Sequence, residues 1–227
     1  MKEIIKNNKF VFIAGTDTGV GKSILTAILA LAYLFEDKGK KVAISKPIQT
    51  GLLKDTELLA QLVKSKIPIF NTYNFALGAA PIVAAKEEKK TIDIKKTVSD
   101  IRKLEEEFDC VIVEGIGGIA VPVNDTHLVA DLIKDLNYPV IIVARPTLGT
   151  INHSVLTIEF AKQKGLNISG FVVSGYDEKT NDPVIKTAPD VISDITDIKC
   201  LMKIPVIEKL NYESVNNIAS SKISVLV

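Results

Sequence analysis

Residues Phe10–Ser23 read F-V-F-I-A-G-T-D-T-G-V-G-K-S. The apolar run Phe10–Ala14 passes into a loop holding Gly15, Gly19 and Gly21, then Lys22-Ser23, and from Ile24 an Ala/Leu-rich helical pattern takes over. Strand, glycine loop, helix is the arrangement in which backbone N–H groups and a helix N-terminus cradle a polyphosphate. The glycines let the backbone approach phosphate, Lys22 offers a mobile positive charge, and the Ser23 hydroxyl suits Mg²⁺. The general pattern G-x-x-x-x-G-K-[ST] is missed by one residue, because five residues separate Gly15 from Gly21. An ordinary strand-to-helix turn has no need of three glycines and a lysine, so the phosphate-loop reading is preferred.

Outward from this stretch, strand and helix patterns alternate. Ile24–Phe35 reads as a helix closed by Gly39, Val42–Ser45 as a short buried strand broken by Lys46-Pro47, and Asp55–Lys66 as a helix with Asp55 and Thr56 as capping candidates. Residues 67–94 hold Pro68, Gly78 and Pro81 and read as irregular, their charged run Lys86–Lys90 as solvated surface. Thr97–Phe108 is expected as a helix, Cys110–Val113 as a strand ending at Glu114-Gly115, and Asn124-Asp125-Thr126 as the cap of a helix His127–Leu136. A strand Pro139–Ala144, a helix Thr150–Lys164 and a strand Ile168–Ser174 follow. The remainder is less periodic: an acidic stretch Asp190–Asp197, the segment Cys200–Pro205 and the apolar Ile223–Val227. No repeat, low-complexity tract or linker divides the chain. The expectation is one α/β domain over residues 1–227, a phosphate-loop NTPase-type three-layer fold whose mostly parallel sheet is covered by helices on both faces.

Composition narrows the classes. At 227 residues such a chain buries about 70% of its unfolded surface. Lys+Arg 28 against Asp+Glu 27 leaves a net charge of +1, so no overall field recruits nucleic acid or an acidic membrane. The longest apolar runs are strand-sized, too short for a membrane span, and Met1-Lys2-Glu3 opens without a signal-type apolar region. Cys110 and Cys200 form no C-x-x-C or metal spacing and read as buried thiols in a reducing cytoplasm.

In a parallel sheet, ligands bind beyond the C-terminal ends of the strands. Four chemistry-bearing clusters fall there: Gly15–Ser23, Lys46–Gly51, Glu114–Gly118 and Arg145–Asn152. Glu114 closes a strand at the place from which a carboxylate helps hold Mg²⁺ in phosphate-loop enzymes; the alternative is a solvated carboxylate. Asp55 reads equally as a helix cap. Lys46, held by Pro47, points toward the same crevice as Lys22; since one cation serves ATP, a second suggests an anion on another substrate, against the alternative of a snorkelling lysine at a sheet edge. Thr150-Ile151-Asn152 opens a helix after Gly149, where exposed N–H groups suit a carboxylate or are simply capped. His153, with no acidic or thiol neighbour in sequence, reads as a packing or interface histidine rather than a base.

These residues together resemble a known family. G-T-D-T-G-V-G-K-S at Gly15–Ser23 is similar to the elongated phosphate loop of dethiobiotin synthetases, G-T-x-T-x-x-G-K-[ST], and K-P-I-Q-T-G at Lys46–Gly51 resembles their K-P-x-x-[ST]-G. V-E-G-I-G-G at Val113–Gly118 and L-G-T-I-N-H at Leu148–His153 are similar to the remaining two signatures, in family order. The extra loop residue is a feature of the family.

The resemblance implies an ATP-dependent ligase of biotin synthesis that joins 7,8-diaminopelargonate and CO₂, with Mg²⁺ and ATP, into dethiobiotin, ADP and phosphate. By that resemblance Thr18, Gly19, Val20, Gly21, Lys22, Ser23 and Ile24 hold the nucleotide, helped by Asp55 and by Glu114, Gly115, Ile116 and Gly117. Ser23, Asp55 and Glu114 bind Mg²⁺. Lys46, Lys22 and Thr18 are the catalytic candidates, and Lys46 and Thr50 face the reacting diamine. Thr150, Ile151 and Asn152 receive the substrate's distal carboxylate from the other subunit, which implies a homodimer with shared sites, in the cytoplasm, binding neither nucleic acid nor membrane.

The chain departs from the family at Ser174-Gly175, where many members carry Asn-Asp. Ser makes fewer hydrogen bonds than Asn, so the base, with Pro205, Val206 and Ile207 as its other wall, is less tightly specified. Two rivals share the fold class. A partitioning-type nucleotide switch usually carries an early loop lysine, and here those positions are Thr16, Asp17 and Thr18. A glutamine-dependent amide synthetase needs a glutaminase domain for which 227 residues leave no space.

Overall fold

The computed structural model describes residues 9–37 and 39–224, with only the backbone for 222–224. Met1-Lys2-Glu3 and the side chains of the apolar Ile223–Val227 run lie outside the described residues. In chain order the elements are β1 (Phe10–Gly15), α1 (Lys22–Glu36), β2 (Val42–Ser45), β3 (Ile48–Gln49), α2 (Asp55–Leu62), β4 (Ile69–Phe70), β5 (Tyr73–Asn74), α3 (Pro81–Glu87) and α4 (Ile94–Glu107). Then come β6 (Cys110–Glu114), α5 (Val129–Leu136), β7 (Val140–Ala144), α6 (Thr150–Gln163), β8 (Ile168–Tyr176), α7 (Pro183–Thr196), β9 (Cys200–Pro205) and α8 (Tyr212–Ser224).

Seven strands form one sheet in the order β4-β2-β6-β1-β7-β8-β9, and every pairing is parallel. Strands buried on both faces read as continuous apolar runs rather than alternating ones, and β1, β2, β6 and β7 do so. Residues of α1, α2 and α8 pack on one face, with Leu25, Ile28, Leu59, Leu62 and Val215 against Val11, Ile13 and Ile112. The opposite face takes α3 to α7, through residues such as Ala84, Ile101, Leu132, Ile158 and Ile192 against Phe12, Val113 and Ile142. The three-layer α/β expectation holds. Among the described residues no helix is long and apolar enough to cross a membrane.

Several local expectations change. Helix α2 stops at Leu62, not Lys66, because Lys64 and Ser65 turn to positive φ. Asp55 and Thr56 do not cap it; the cap position is Lys54, and Asp55 turns to an ion pair instead. The irregular middle contains β4, β5 and α3, whose first turn is opened by Pro81. Its charged run is not merely solvated: Glu88 accepts from the backbone N–H groups of Ala76 (2.6 Å) and Leu77 (3.2 Å) and so pins that loop. Helix α4 begins at Ile94 because the Asp93 carboxylate takes the Lys96 N–H. Asn124 caps a turn rather than a helix, and α5 starts only at Val129. The acidic stretch Asp190–Asp197 belongs to α7 up to Thr196, where Pro189 interrupts the helical pattern that sequence reading depends on. His153 is exposed on α6, which removes the packing reading and leaves the interface one.

Both cysteines are free thiols, but only Cys110 is fully buried. Burial pushes its thiol up to about 12, so its thiolate is scarce at neutral pH. In a thiol titration of the native protein at pH 8, Cys110 is expected to stay silent and to react only after denaturation. Rapid labelling of Cys110 in the folded chain would show that this part of β6 opens.

Candidate active site

Strand register builds the centre of the site. Pairing of β2 with β6 sets Ser45 beside Val113, and pairing of β1 with β6 sets Ile13 beside Glu114. One residue past β2, Lys46 therefore comes level with Glu114 at the end of β6. The backbone there is stapled: Lys46 N–H donates to Phe70 O (2.8 Å), and Asn71 Nδ2 donates to Lys46 O (2.7 Å). The Lys46 ammonium donates to Glu114 Oε1 (2.9 Å) and Gly115 O (2.8 Å), and lies 2.6 Å from Asp55 Oδ2. The side chains of Lys46 and Glu114 are each only 1% exposed. Burial by itself would lower the pKa of such an ammonium, but Glu114 and then Asp55 outweigh it and raise the value above that of an ordinary lysine.

The phosphate loop closes over β1 onto the same point. Gly15 sits where a side chain would collide with Asp17 O and Val20 Cγ2, both 2.9 Å from the position of a Cβ. At Gly21 φ is +99°, and a Cβ would strike the Ser174 side chain. The Lys22 ammonium donates to Asp17 O (2.8 Å) and Gly117 O (3.0 Å), both neutral acceptors. Burial, then repulsion from Lys46, brings its pKa down to about 8, against opposing attraction from Glu114, Asp55 and Asp17. Such a lysine is under-neutralised and suited to a polyphosphate. Ser23 Oγ donates to Glu114 Oε1 (2.8 Å). The ammonium expected at the nucleotide and the one expected at the second substrate thus face one cleft.

That cleft has a volume of about 680 Å³. Thr18, Gly19, Gly21, Lys22, Ser23, Ile24, Lys46, Thr50, Asp55, Glu114, Ile116 and Gly117 all line it. Val20 does not, since its side chain turns into the core. Gly115 is buried behind the wall, with its carbonyl on Lys46. Ser174 lies under Gly21, Gly175 follows it with φ +82°, and Pro205, Val206 and Ile207 leave the end of β9; none of these lines the cleft. Thr150, Ile151 and Asn152 face a separate groove of about 690 Å³ beside α7. The Thr150 hydroxyl there is buried with no hydrogen-bond partner among the described residues. Sequence reading missed Leu53, Leu58, Gly78–Pro81, Val121 and Leu210, which complete the cleft. Gly78 and Pro81 signalled a turn, but nothing in their spacing tied it to the loop after β3.

The oxygen donors suit a hard divalent ion. Glu114 Oε2 is buried and has no partner among the described residues, although Oε1 accepts from both Ser23 Oγ and Lys46 Nζ. With the Ser23 hydroxyl and the Asp55 carboxylate at the same cleft, this is an oxygen-only set of the kind Mg²⁺ takes when phosphates and waters supply the remaining ligands. No cluster of three or more His, Cys, Asp or Glu side chains able to hold a metal occurs among the described residues.

A parallel sheet with a glycine loop and lysine between β1 and α1, and a carboxylate at the end of the adjacent strand, defines a phosphate-loop protein of the α/β class. Solved structures agree at the level of fold. A ParA family ATPase from Chlorobium tepidum TLS superposes with a TM-score of 0.58 at 14% identity, covering 92% of this chain and 97% of its own. The cell division ATPase MinD from Pyrococcus furiosus superposes at 0.56 and 16%, covering 96% and 99%.

Sequence relatives are more particular. A family model described as an AAA domain matches residues 9–214. The ATP-dependent dethiobiotin synthetase BioD of Bacillus subtilis strain 168 is 36% identical over 94% of this chain and 94% of its own length. That of Thermodesulfovibrio yellowstonii is 35% identical over 92% and 93%, and that of Methanococcus vannielii 40% identical over 72% and 78%. The chain belongs to the family of ATP-dependent dethiobiotin synthetases.

Proposed function

We propose that the chain is a single-domain cytoplasmic ligase that closes 7,8-diaminopelargonate and CO₂ into dethiobiotin at the expense of ATP. The observation that carries this reading is the meeting of two lysines from different loops, Lys22 and Lys46, about one strand-end carboxylate, Glu114. A nucleotide switch has use for the first lysine; the second, paired here with Glu114 and Asp55, would be open to a second anion once those carboxylates turn to Mg²⁺.

In this reading one free amine of the diamine adds to CO₂, losing a proton and leaving a carbamate. Lys46 sits where the carbamate's negative charge is offset, with Thr50 and Thr18 lining its approach. A carbamate oxygen then attacks the γ-phosphorus and ADP departs. Backbone N–H groups from Gly19 to Ile24 hold the polyphosphate, and Lys22 gives up Asp17 O and Gly117 O to follow the charge. Ser23, Asp55 and Glu114 would hold Mg²⁺, which offsets charge on the phosphate oxygens when bound. Finally the second amine attacks the carbonyl of the carbamic-phosphoric anhydride, forms the cyclic urea and expels phosphate. No protein nucleophile is needed; positioning and electrostatics supply the catalysis.

Ser174 and Gly175, with Pro205, Val206 and Ile207, wall the base in this reading. Thr150–Asn152 serve the distal carboxylate of substrate bound to a second copy, so the working unit is a homodimer. The support for that role is the uncapped start of α6 at Gly149 together with the orphaned, buried Thr150 hydroxyl.

The test is turnover. With Mg·ATP, bicarbonate and the diamine, the purified protein is expected to yield dethiobiotin by mass spectrometry, one ADP per product. ATP hydrolysis at the same rate with and without the diamine would instead mark a nucleotide switch.

A further inference from the structure

We propose that Gln49 and Lys54 are positioning residues that hold Asp55 against Lys46; the inference deepens the ligase reading and rests on Asp55 having a part in it. Helix α2 begins at Asp55 with no side-chain cap, so the usual Ser or Asp bracket is missing. Two other brackets replace it. The buried Gln49 amide takes the Thr56 N–H on Oε1 (3.2 Å) and donates from Nε2 to Thr56 Oγ1 (3.2 Å). The Lys54 ammonium donates to Gly51 O (2.6 Å), Asn74 Oδ1 (2.6 Å) and Phe75 O (3.0 Å).

Both brackets lead to the same small platform. Gln49 lies in β3 and Asn74 in β5, and the two are register partners in that two-stranded parallel sheet. Asp55 is therefore gripped from the residue before it and the residue after it. Its own side chain is 42% exposed, yet Oδ2 lies 2.6 Å from a fully buried ammonium. A half-exposed carboxylate keeps one rotamer only if its backbone is fixed. Neither Gln49 nor Lys54 lines the cleft, so each acts through what it holds: both through Asp55, and Lys54 also through the loop beside Thr50, by way of Gly51 O. Lys54 makes no ion pair with a carboxylate among the described residues, and its charge is spent on neutral loop oxygens. Partners of this outer kind typically govern metal affinity or activity by about 10–100-fold.

The experiment measures calorimetric binding of Mg·ATP and of ATP in EDTA, alongside turnover with the diamine. Gln49→Met and Lys54→Met are each expected to weaken Mg·ATP on the order of tenfold while leaving metal-free ATP unchanged. Thr56→Ser, which keeps both bonds, is expected to match the parent, and Thr56→Val to follow Gln49→Met part of the way. In an Asp55→Asn background Gln49→Met should cost little more, because the group it aims is already gone. An equal fold-loss in both backgrounds, or equal weakening of Mg·ATP and metal-free ATP, would overturn the bracket. If Asp55→Asn itself changed neither binding nor turnover, Asp55 would leave the ligase reading and the bracket would fall with it. Should Gln49→Met not fold, Lys54→Met and Thr56→Val, both at partly exposed positions, carry the same cycle.

Discussion

Lys46→Met is expected to lower turnover by about 10²–10³, the loss found when one charge-stabilising donor is removed from a water-excluded site. The same substitution should also cost stability. Lys46 and Glu114 are both buried, so deleting the ammonium strands a carboxylate whose one remaining side-chain donor among the described residues is Ser23. Breaking a buried pair from one side typically costs about 3–5 kcal/mol. For a chain of this size that lowers Tm by on the order of ten degrees. The two effects separate in the double variant Lys46→Met with Glu114→Gln. Removing the orphaned charge should recover most of the lost Tm, while turnover stays low. Turnover near the parent's in either variant would take Lys46 out of the chemistry. An unchanged Tm in the single variant would mean that Glu114 finds another partner at no cost.

Gly21→Ala is expected to abolish tight nucleotide binding, with Kd for ATP rising by at least about a hundredfold. Two separate penalties act there. The backbone is in the left-handed region at φ +99°, which costs a residue with a Cβ about 1–2 kcal/mol. The new methyl would also lie 2.7 Å from Ser174 Cβ and closer still to its hydroxyl, so the loop must lift off β8. Among the described residues, only Ser174 stands in the way of that methyl. Ser174→Gly should therefore recover the steric part in Gly21→Ala, leaving about a tenfold deficit from backbone strain. Titration calorimetry of the two single variants and the double variant checks this. Failure of Ser174→Gly to help at all would mean that the loop geometry, not the collision, carries the whole effect.

The Gly21–Ser174 contact also recasts the departure from the family's Asn-Asp. At this position the side chain must fit beneath a glycine of the phosphate loop. A small residue there serves the packing of the loop. That coupling joins residues more than a hundred positions apart and has no trace in either motif.

Local physics made much of this molecule readable from the chain. Runs such as Val111–Val113 and Ile141–Val143 are apolar on every residue, which only a sheet covered on both faces requires. The glycine loop leaves β1 and leads to Lys22-Ser23, Lys46-Pro47 follow β2 and Glu114 closes β6, and parallel strands deliver all their ends to one edge. Fold class and the main site residues follow from those two facts. Boundaries were less legible where a tertiary partner replaces a local signal, as at α2, whose start is held by Gln49 and Lys54 rather than by its own first turn.

What needed three dimensions was pairing and charge. The motif spacing brings Lys46 to the crevice but does not say that two carboxylates already neutralise it, whereas Lys22 rests on the carbonyl oxygens of Asp17 and Gly117. Nor does it say that Asp55 faces Lys46 instead of capping its helix, or that Leu210 closes the cleft from a loop far along the chain. Periodicity records which face of an element is buried, because that depends on neighbours three or four residues away. Strand register and side-chain partnership depend on residues brought together by the packing of the whole sheet, so they become visible only once it has closed.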